Sequence, residues 1–281
     1  MVVKIVTDSI SDLPPEVVKE LNIAVVPIVV NFGDKTYRDG IDLTPEQFYE
    51  KLKTTEVFPH TSVPSPGVFA EVYDSLAEKT DQILVITVSS RLSGTYQVAL
   101  QAMRLMKRAC QVEVMDSCCA TMAQGFIVMA AAKAAAAGAS LTEVKEVIRK
   151  TMYRVDFHAT FDTLDYLRRG GRIGRAQAFL GSMLKINPII TLQDGVVEPV
   201  ERVRSRARAL EQLFRFAQSY TKIEEMAVED TASPTEAEAL TERLGSLFPK
   251  ERIYRSRMTP AIGTHTGPGL LLIAVQGESN L

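Results

Sequence analysis

The stretch QILVITVSS (82–90), LSGTYQVALQAMRLMK (92–107) and VEVMDS (112–117) decides the fold class. Its outer runs are short and rich in apolar β-branched residues and read as strands, while the middle run reads as a helix. Outward toward the N terminus, VVKIVTDS (2–9) is a further strand-like run, followed by a helical pattern from Pro14 to Glu20. AVVPIVVNFG (24–33) and TYRDG (36–40) read as extended chain with a turn, and a capped helix starts near Thr44-Pro45. Outward toward the C terminus, a helix rich in Ala and Met spans about Ala120 to Ala137. This alternation predicts a largely parallel sheet with helices on its faces, and ligands of such sheets sit beyond the carboxyl ends of the strands.

The rhythm changes after a helix at Leu141 to Tyr153. FHATFDTL (157–164) reads as a strand; an arginine-glycine turn and a helix near Ala176 to Leu184 follow; INPIITLQDGVVEPV (186–200) reads as a hairpin turning at Asp194-Gly195. Helices at about 205–220 and 234–247 then alternate with strands EEMAVED (224–230), ERIYRSR (251–257) and LLLIAV (270–275). The expected architecture is α/β in two domains. Residues 1–159 form an N-terminal, largely parallel α/β sandwich, and residues 160–281 form a C-terminal domain of mixed topology.

The 281 residues, 46% of them hydrophobic, are enough for a substantial core. Lys and Arg total 32 against 34 acidic residues, so the net charge of −2 gives no global reason to expect nucleic acid. Three cysteines, with Cys118 and Cys119 adjacent, make neither a disulfide framework nor a zinc pattern with histidine, and point to a reducing cytoplasm. The N terminus shows no export signal, and the most apolar helix, near 121–138, is interrupted by Gln124 and Lys133, so no transmembrane segment is expected.

Asp8-Ser9, Ser89-Ser90 and Asp116-Ser117 close three predicted strands and can line one rim with donors and acceptors; equally, such residues are ordinary loop starters. HTSVPSP (60–66) admits two readings. Ser65 and Pro66 suit the N-cap and first position of a helix, and the hydroxyls of Thr61 and Ser62 can complete an anion site at that helix start. RLSGTY (91–96) has the same ambiguity: Ser93 and Thr95 can cap or donate to an anion, and Gly94 allows close backbone approach. It is not a G-x-S-x-G elbow, which favours binding over nucleophilic attack. GTHTGPG (263–269) reads as a glycine-framed loop that holds His265. LRRGGRIGR (167–175) and ERVRSRAR (201–208) carry eight arginines suited to a solvated face, a phosphate or a partner. No phosphate-binding loop or dinucleotide fingerprint is present. Asp8, Asp116 and Asp162 lack a histidine or carboxylate cluster around them and read as turn and cap residues, with no metal site expected.

Taken in order, DSISDLP (8–14), HTSVPSP, SSRLSGTY, MDS (115–117), LRRGGRIG and GTHTGPG resemble the DegV family, bacterial fatty-acid-binding proteins that present the fatty acid to a separate fatty acid kinase. The resemblance implies a non-enzymatic carrier with the lipid carboxylate at the domain interface and the acyl tail enclosed. Thr61 and Ser93 would hydrogen-bond the carboxylate with His265 nearby, and Ser62, Gly94 and Thr95 complete the candidate site. Arg172 and Arg202 would lie where the kinase docks. The kinase would supply ATP and metal, the carrier would need no cofactor of its own, and the acyl phosphate would pass to an acyltransferase and so to phospholipid synthesis. The chain departs from the family pattern at Glu229-Asp230, where a histidine or small residues are common, and in its bulky GLLLIAV end. Two other classes compete: a serine-dependent lipid hydrolase using Ser93 and His265, and a regulatory protein using its arginine patch.

Overall fold

The computed structural model describes residues 2–180 and 186–279. β1 (Lys4–Asp8) leads through a short 3-10 turn into α1 (Pro15–Glu20), β2 (Ala24–Val26), β3 (Val29–Phe32), β4 (Lys35–Arg38), α2 (Pro45–Thr54), β5 (His60–Ser62) and α3 (Pro66–Ala77). Next come β6 (Gln82–Thr87), α4 (Thr95–Ala102), β7 (Gln111–Asp116), α5 (Thr121–Ala136) and α6 (Leu141–Met152). The rest of the chain forms β8 (Val155–Thr160), α7 (Asp165–Arg169), β9 (Asn187–Gln193), β10 (Val196–Val203), α8 (Arg206–Gln218), β11 (Tyr220–Asp230), α9 (Pro234–Leu244), β12 (Ile253–Arg257), α10 (Pro260–Thr266) and β13 (Leu271–Ser279).

The strands make a parallel sheet in the order β2-β1-β6-β7, a small antiparallel sheet β4-β3-β5, and a six-stranded sheet β10-β9-β8-β13-β11-β12. The last is antiparallel except for the β11–β12 pair. This is the two-domain α/β architecture expected from the alternation. Period two sorts the side chains of β6. Ile83 and Val85 pack with Phe69, Tyr73 and Val98 of α3 and α4, whereas Leu84 and Ile86 pack with Ile127 and Val144 of α5 and α6. β13 alternates likewise: Leu271, Ile273 and Val275 meet Leu213 and Leu240 of α8 and α9, while Leu272 and Ala274 face the central core. The bulk of the GLLLIAV end is therefore directed largely at the outer helices.

α5 lies between the sheets, which is why it is apolar nearly all round. Met122, Phe126 and Met129 belong to the central core, and Ile127, Val128 and Ala131 belong to the core of the parallel sheet. Gln124, inside this helix, donates from Nε2 to Thr7 Oγ1 at 3.0 Å while its Oε1 is buried without a partner among the described residues, and Lys133 reaches Glu225 at 2.6 Å. Among the described residues no helix is long and apolar enough to cross a membrane.

Several expectations need correction. AVVPIVVNFG divides at Pro27 between two sheets, because proline has no N–H to continue a ladder. The helix expected from Leu92 starts at Thr95, since Leu92 N and Ser93 N both donate to Ser89 O in a tight loop. GTHTGPG is not a loop around His265. Pro260 opens α10 at its first position, the helix runs through His265, and Gly267 at φ 68° ends it. FHATFDTL leaves its strand at Thr160. Near Ala176 there is a 3-10 turn, Gly174–Phe179, ended by extended backbone at Leu180, and residues 181–184 of the expected helix lie outside the described residues. The hairpin turn stands as read, with Asp194 and Gly195 both at positive φ. The rim of strand ends is occupied with itself: Val88 N donates to Asp8 Oδ2 at 2.8 Å and Ser90 N to Asp116 Oδ2 at 3.1 Å. Those aspartates brace loops.

Candidate functional site

Thr61 is the middle residue of β5, paired with Val30 of β3. Strand alternation turns it inward and leaves His60 and Ser62 exposed. Ser62 Oγ instead accepts from Asn31 Nδ2 at 3.1 Å on the outer face. Ser65 occupies the N-cap of α3 but forms no side-chain cap bond. Within HTSVPSP, then, only the Thr61 hydroxyl is directed to the interior.

Ser93 sits in the loop between β6 and α4. That loop is pinned to the other domain, because Ser89 Oγ donates to Gly195 O of the hairpin turn at 2.8 Å. Ser93 Oγ and Thr95 Oγ1 share a hydrogen bond of 2.8 Å, so the buried Thr95 orients Ser93 rather than facing the cavity. Gly94 packs beneath Val63, with room for a Cβ at ordinary contact distance. His265, in the last turn of α10, holds Thr61 Oγ1 at 2.7 Å through Nε2. Its Nδ1 has no partner among the described residues. Burial, and then the nearby Arg172 guanidinium, push its pKa down to about 4. The ring is therefore neutral at physiological pH and offers one donor and one acceptor. Arg172 follows the Gly170-Gly171 turn, and its Nε donates to Leu92 O at 3.0 Å while Nη1 donates to Gly170 O at 2.6 Å. It supplies the positive charge at this point.

Thr61, Ser93, Arg172 and His265 line one end of a single cavity. The rest of its wall is almost wholly apolar. Phe157, Ala159, Ile190, Leu192, Val197 and Leu272 come from the six-stranded sheet; Ile10, Ile28, Val88 and Ala120 come from the parallel-sheet side; Met258, Ala261 and Ile262 come from α10 and the residues before it. Ser62, Gly94 and Thr95 do not line it, nor does Arg202, which is exposed and stacks over the Phe179 ring at 4.7 Å. Thr121 and Thr266 do line it and carried no legible signal as site residues. The Ser93–His265 dyad of a hydrolase is not formed, since His265 bonds to Thr61 and Ser93 to Thr95. Such a cavity, with a single polar end holding a cation and neutral donors, can take an anionic head group with an apolar tail.

Residues 2–278 match the DegV family, whose description is of uncharacterised proteins. This chain belongs to the DegV family. The DegV protein of Bacillus subtilis is 34% identical over 278 residues, covering 96% of this chain and 98% of its own. A DegV domain-containing protein of Caldanaerobacter subterraneus is 35% identical over 270 residues, covering 95% of each chain. Among solved structures, a fatty-acid-binding DegV family protein from Thermus thermophilus superposes with a TM-score of 0.90 at 34% identity, covering 99% of this chain and 100% of that one. B. subtilis DegV, described as a fatty acid binding protein, also superposes with a TM-score of 0.90, at 31% identity and with the same coverage.

Proposed function

We propose that this DegV family member is a cytoplasmic carrier that encloses a long-chain fatty acid and presents its carboxylate to a separate ATP-dependent fatty acid kinase, which makes the acyl phosphate. One observation carries the reading: an apolar cavity between the sheets with Thr61, Ser93, Arg172 and His265 gathered at one end. Burying an alkyl tail of about fifteen carbons contributes on the order of 10 kcal/mol at about 0.8 kcal/mol per CH₂, before ordering costs. Affinity comes from the tail. The charge-assisted hydrogen bonds, about 1.5–3 kcal/mol each, chiefly orient the head. Thr61 and Ser93 donate to the carboxylate, His265 donates its one ring N–H to Thr61 Oγ1 and so leaves the Thr61 proton free for the carboxylate, and Thr95 and Gly94 set the position of Ser93. Arg172 and Arg202 form the docking face for the kinase, Arg202 from its exposed position and Arg172 from the cavity end. The division into two domains, with the carboxylate held where they meet, belongs to the same reading, but it falls before β8 (Val155–Thr160) rather than at residue 160, since β8 pairs with β9 and β13 of the six-stranded sheet. ATP and metal belong to the kinase, and an acyltransferase consumes the product.

Mass spectrometry of the purified protein, native and after organic extraction, tests the carrier reading. We expect one fatty acid per chain without added lipid. A protein that is empty as purified, and that stays empty after incubation with a panel of fatty acids, would refute it. Incorporation of phosphate from ATP into the bound lipid, with and without a fatty acid kinase, tests the presentation step separately.

A further inference from the structure

We propose that Asp12 and Glu229 share a single proton, and that this buried acid pair is a pH-dependent latch on the cavity wall. The latch goes beyond the carrier reading and operates whatever fills the cavity. Asp12 lies in the turn after β1, and Glu229 lies next to the last residue of β11, so the pair joins the rim of the parallel sheet to the six-stranded sheet. Their exposures are 3% and 0%. Each uses one oxygen to accept a backbone N–H from another segment: Glu229 Oε2 from Met122 and Asp12 Oδ1 from Thr259, both at 3.0 Å.

The other two oxygens, Asp12 Oδ2 and Glu229 Oε1, make no hydrogen bond among the described residues, although the two carboxyls are neighbours and the buried Thr259 hydroxyl, itself unpartnered, stands beside Asp12. Two ionised carboxylates here would leave like charges and two unsatisfied acceptors side by side out of water, an arrangement burial strongly disfavours. One proton removes the repulsion and satisfies both orphan oxygens at once. Thr121 Oγ1, also buried and unpartnered, stands beside Glu229. Burial, and then the charge of Asp12, hold the Glu229 carboxyl well above the usual range. Burial pushes Asp12 up to about 7, assisted by the charge of Asp39 and opposed by the Thr259 N–H.

The surrounding charges do not relieve the pair. Asp39, after β4, and Asp8, at the end of β1, are themselves buried acids. Tyr49 of α2 is a neutral phenol whose pKa is raised by burial and by Asp12. Of the cations on β12, Arg255 is paired with the adjacent Asp230 and Arg257 with Glu46. Among the described residues no lysine or arginine pairs with either carboxyl.

The pair reaches the cavity through both of its backbone partners. Met122 follows Thr121, a lining residue held at φ 58°, where a β-branched side chain is strained. Thr259 follows Met258, also a lining residue. Removing the proton drives the carboxylates apart and loosens both wall segments.

Infrared spectroscopy of the whole protein at pH 8, where ordinary carboxyls are ionised, reads the shared proton as a carboxylic-acid C=O band. We expect the band in the wild type and its loss in Glu229→Gln, whose amide donates to Asp12 permanently. The thermal midpoint of that variant should no longer fall between pH 7 and pH 9. Absence of the band in the wild type overturns the proposal without reference to any variant. Asp12→Asn removes the same proton from the other side if Glu229→Gln does not fold, and a band that persists in every folded variant also overturns it.

Discussion

A Cβ on Gly170 would lie 2.3 Å from His265 Nδ1, so the absence of a side chain there is what lets the imidazole seat against Thr61. We expect Gly170→Ala to displace the ring and weaken fatty acid retention about tenfold, or about 1.4 kcal/mol, with the far-ultraviolet circular dichroism unchanged. Thr61→Ala and Ser93→Ala each remove one carboxylate donor and should lower the lipid recovered per chain, read by mass spectrometry; wild-type recovery in both would remove the carboxylate assignment. Arg202→Ala should leave lipid content intact and slow phosphorylation by the kinase, and an unchanged rate would remove the docking role. The same substitution at Arg172 should reduce both, because that residue lines the cavity. At this scale the residues alone left Thr61 and Ser93 open between capping and anion binding, and it was the order of the motifs, through the family resemblance, that singled them out together with His265. The choice of Thr61 over Ser62 needed the strand, since only period two sends adjacent hydroxyls to opposite faces.

Among the elements, α10 matters most to the site because it carries His265. It packs on α2 through Gly263, where a Cβ would lie 2.6 Å from the Phe48 ring and 2.7 Å from Tyr49 Oη. Gly263→Ala should overpack this contact at a cost of about 1–3 kcal/mol, lowering the thermal midpoint and releasing lipid together. A lowered midpoint with full lipid retention would separate the helix contact from the site. The sequence pattern concealed α10: its glycines read as a loop, and the signal available was Thr259-Pro260, an N-cap and a first-turn proline. α5 was legible from its composition, but its burial on both sides follows from lying between two sheets.

For the molecule as a whole, buried acids set the pH response. Burial raises Asp8 and Asp39 from 3.8 to about 6 and Asp12 to about 7. The folded chain therefore binds more protons than the unfolded chain in that window, and stability falls as pH rises through those values. His158 and His265, lowered by burial to about 4, act in the opposite sense, but only below about 6.5. We expect the thermal midpoint to fall between pH 6.5 and 8, where the histidines no longer contribute; a flat or rising profile in differential scanning calorimetry would contradict these environments.

Local pattern alone determined the alternation of strands and helices, the order of the motifs and a short set of hydroxyls that could either cap a helix or meet an anion, because propensity, capping and periodicity act over a few residues; the family resemblance of those motifs chose between the two uses. Tertiary structure decided what converges. Thr61, Ser93, Arg172 and His265 share one cavity end only because β5, the loop after β6, the turn after α7 and α10 are packed together by apolar faces remote from one another in the chain. Asp12 and Glu229 meet for the same reason. Nothing near either residue in sequence marks it as a partner of the other, and only burial against a second carboxyl gives the pair its chemistry.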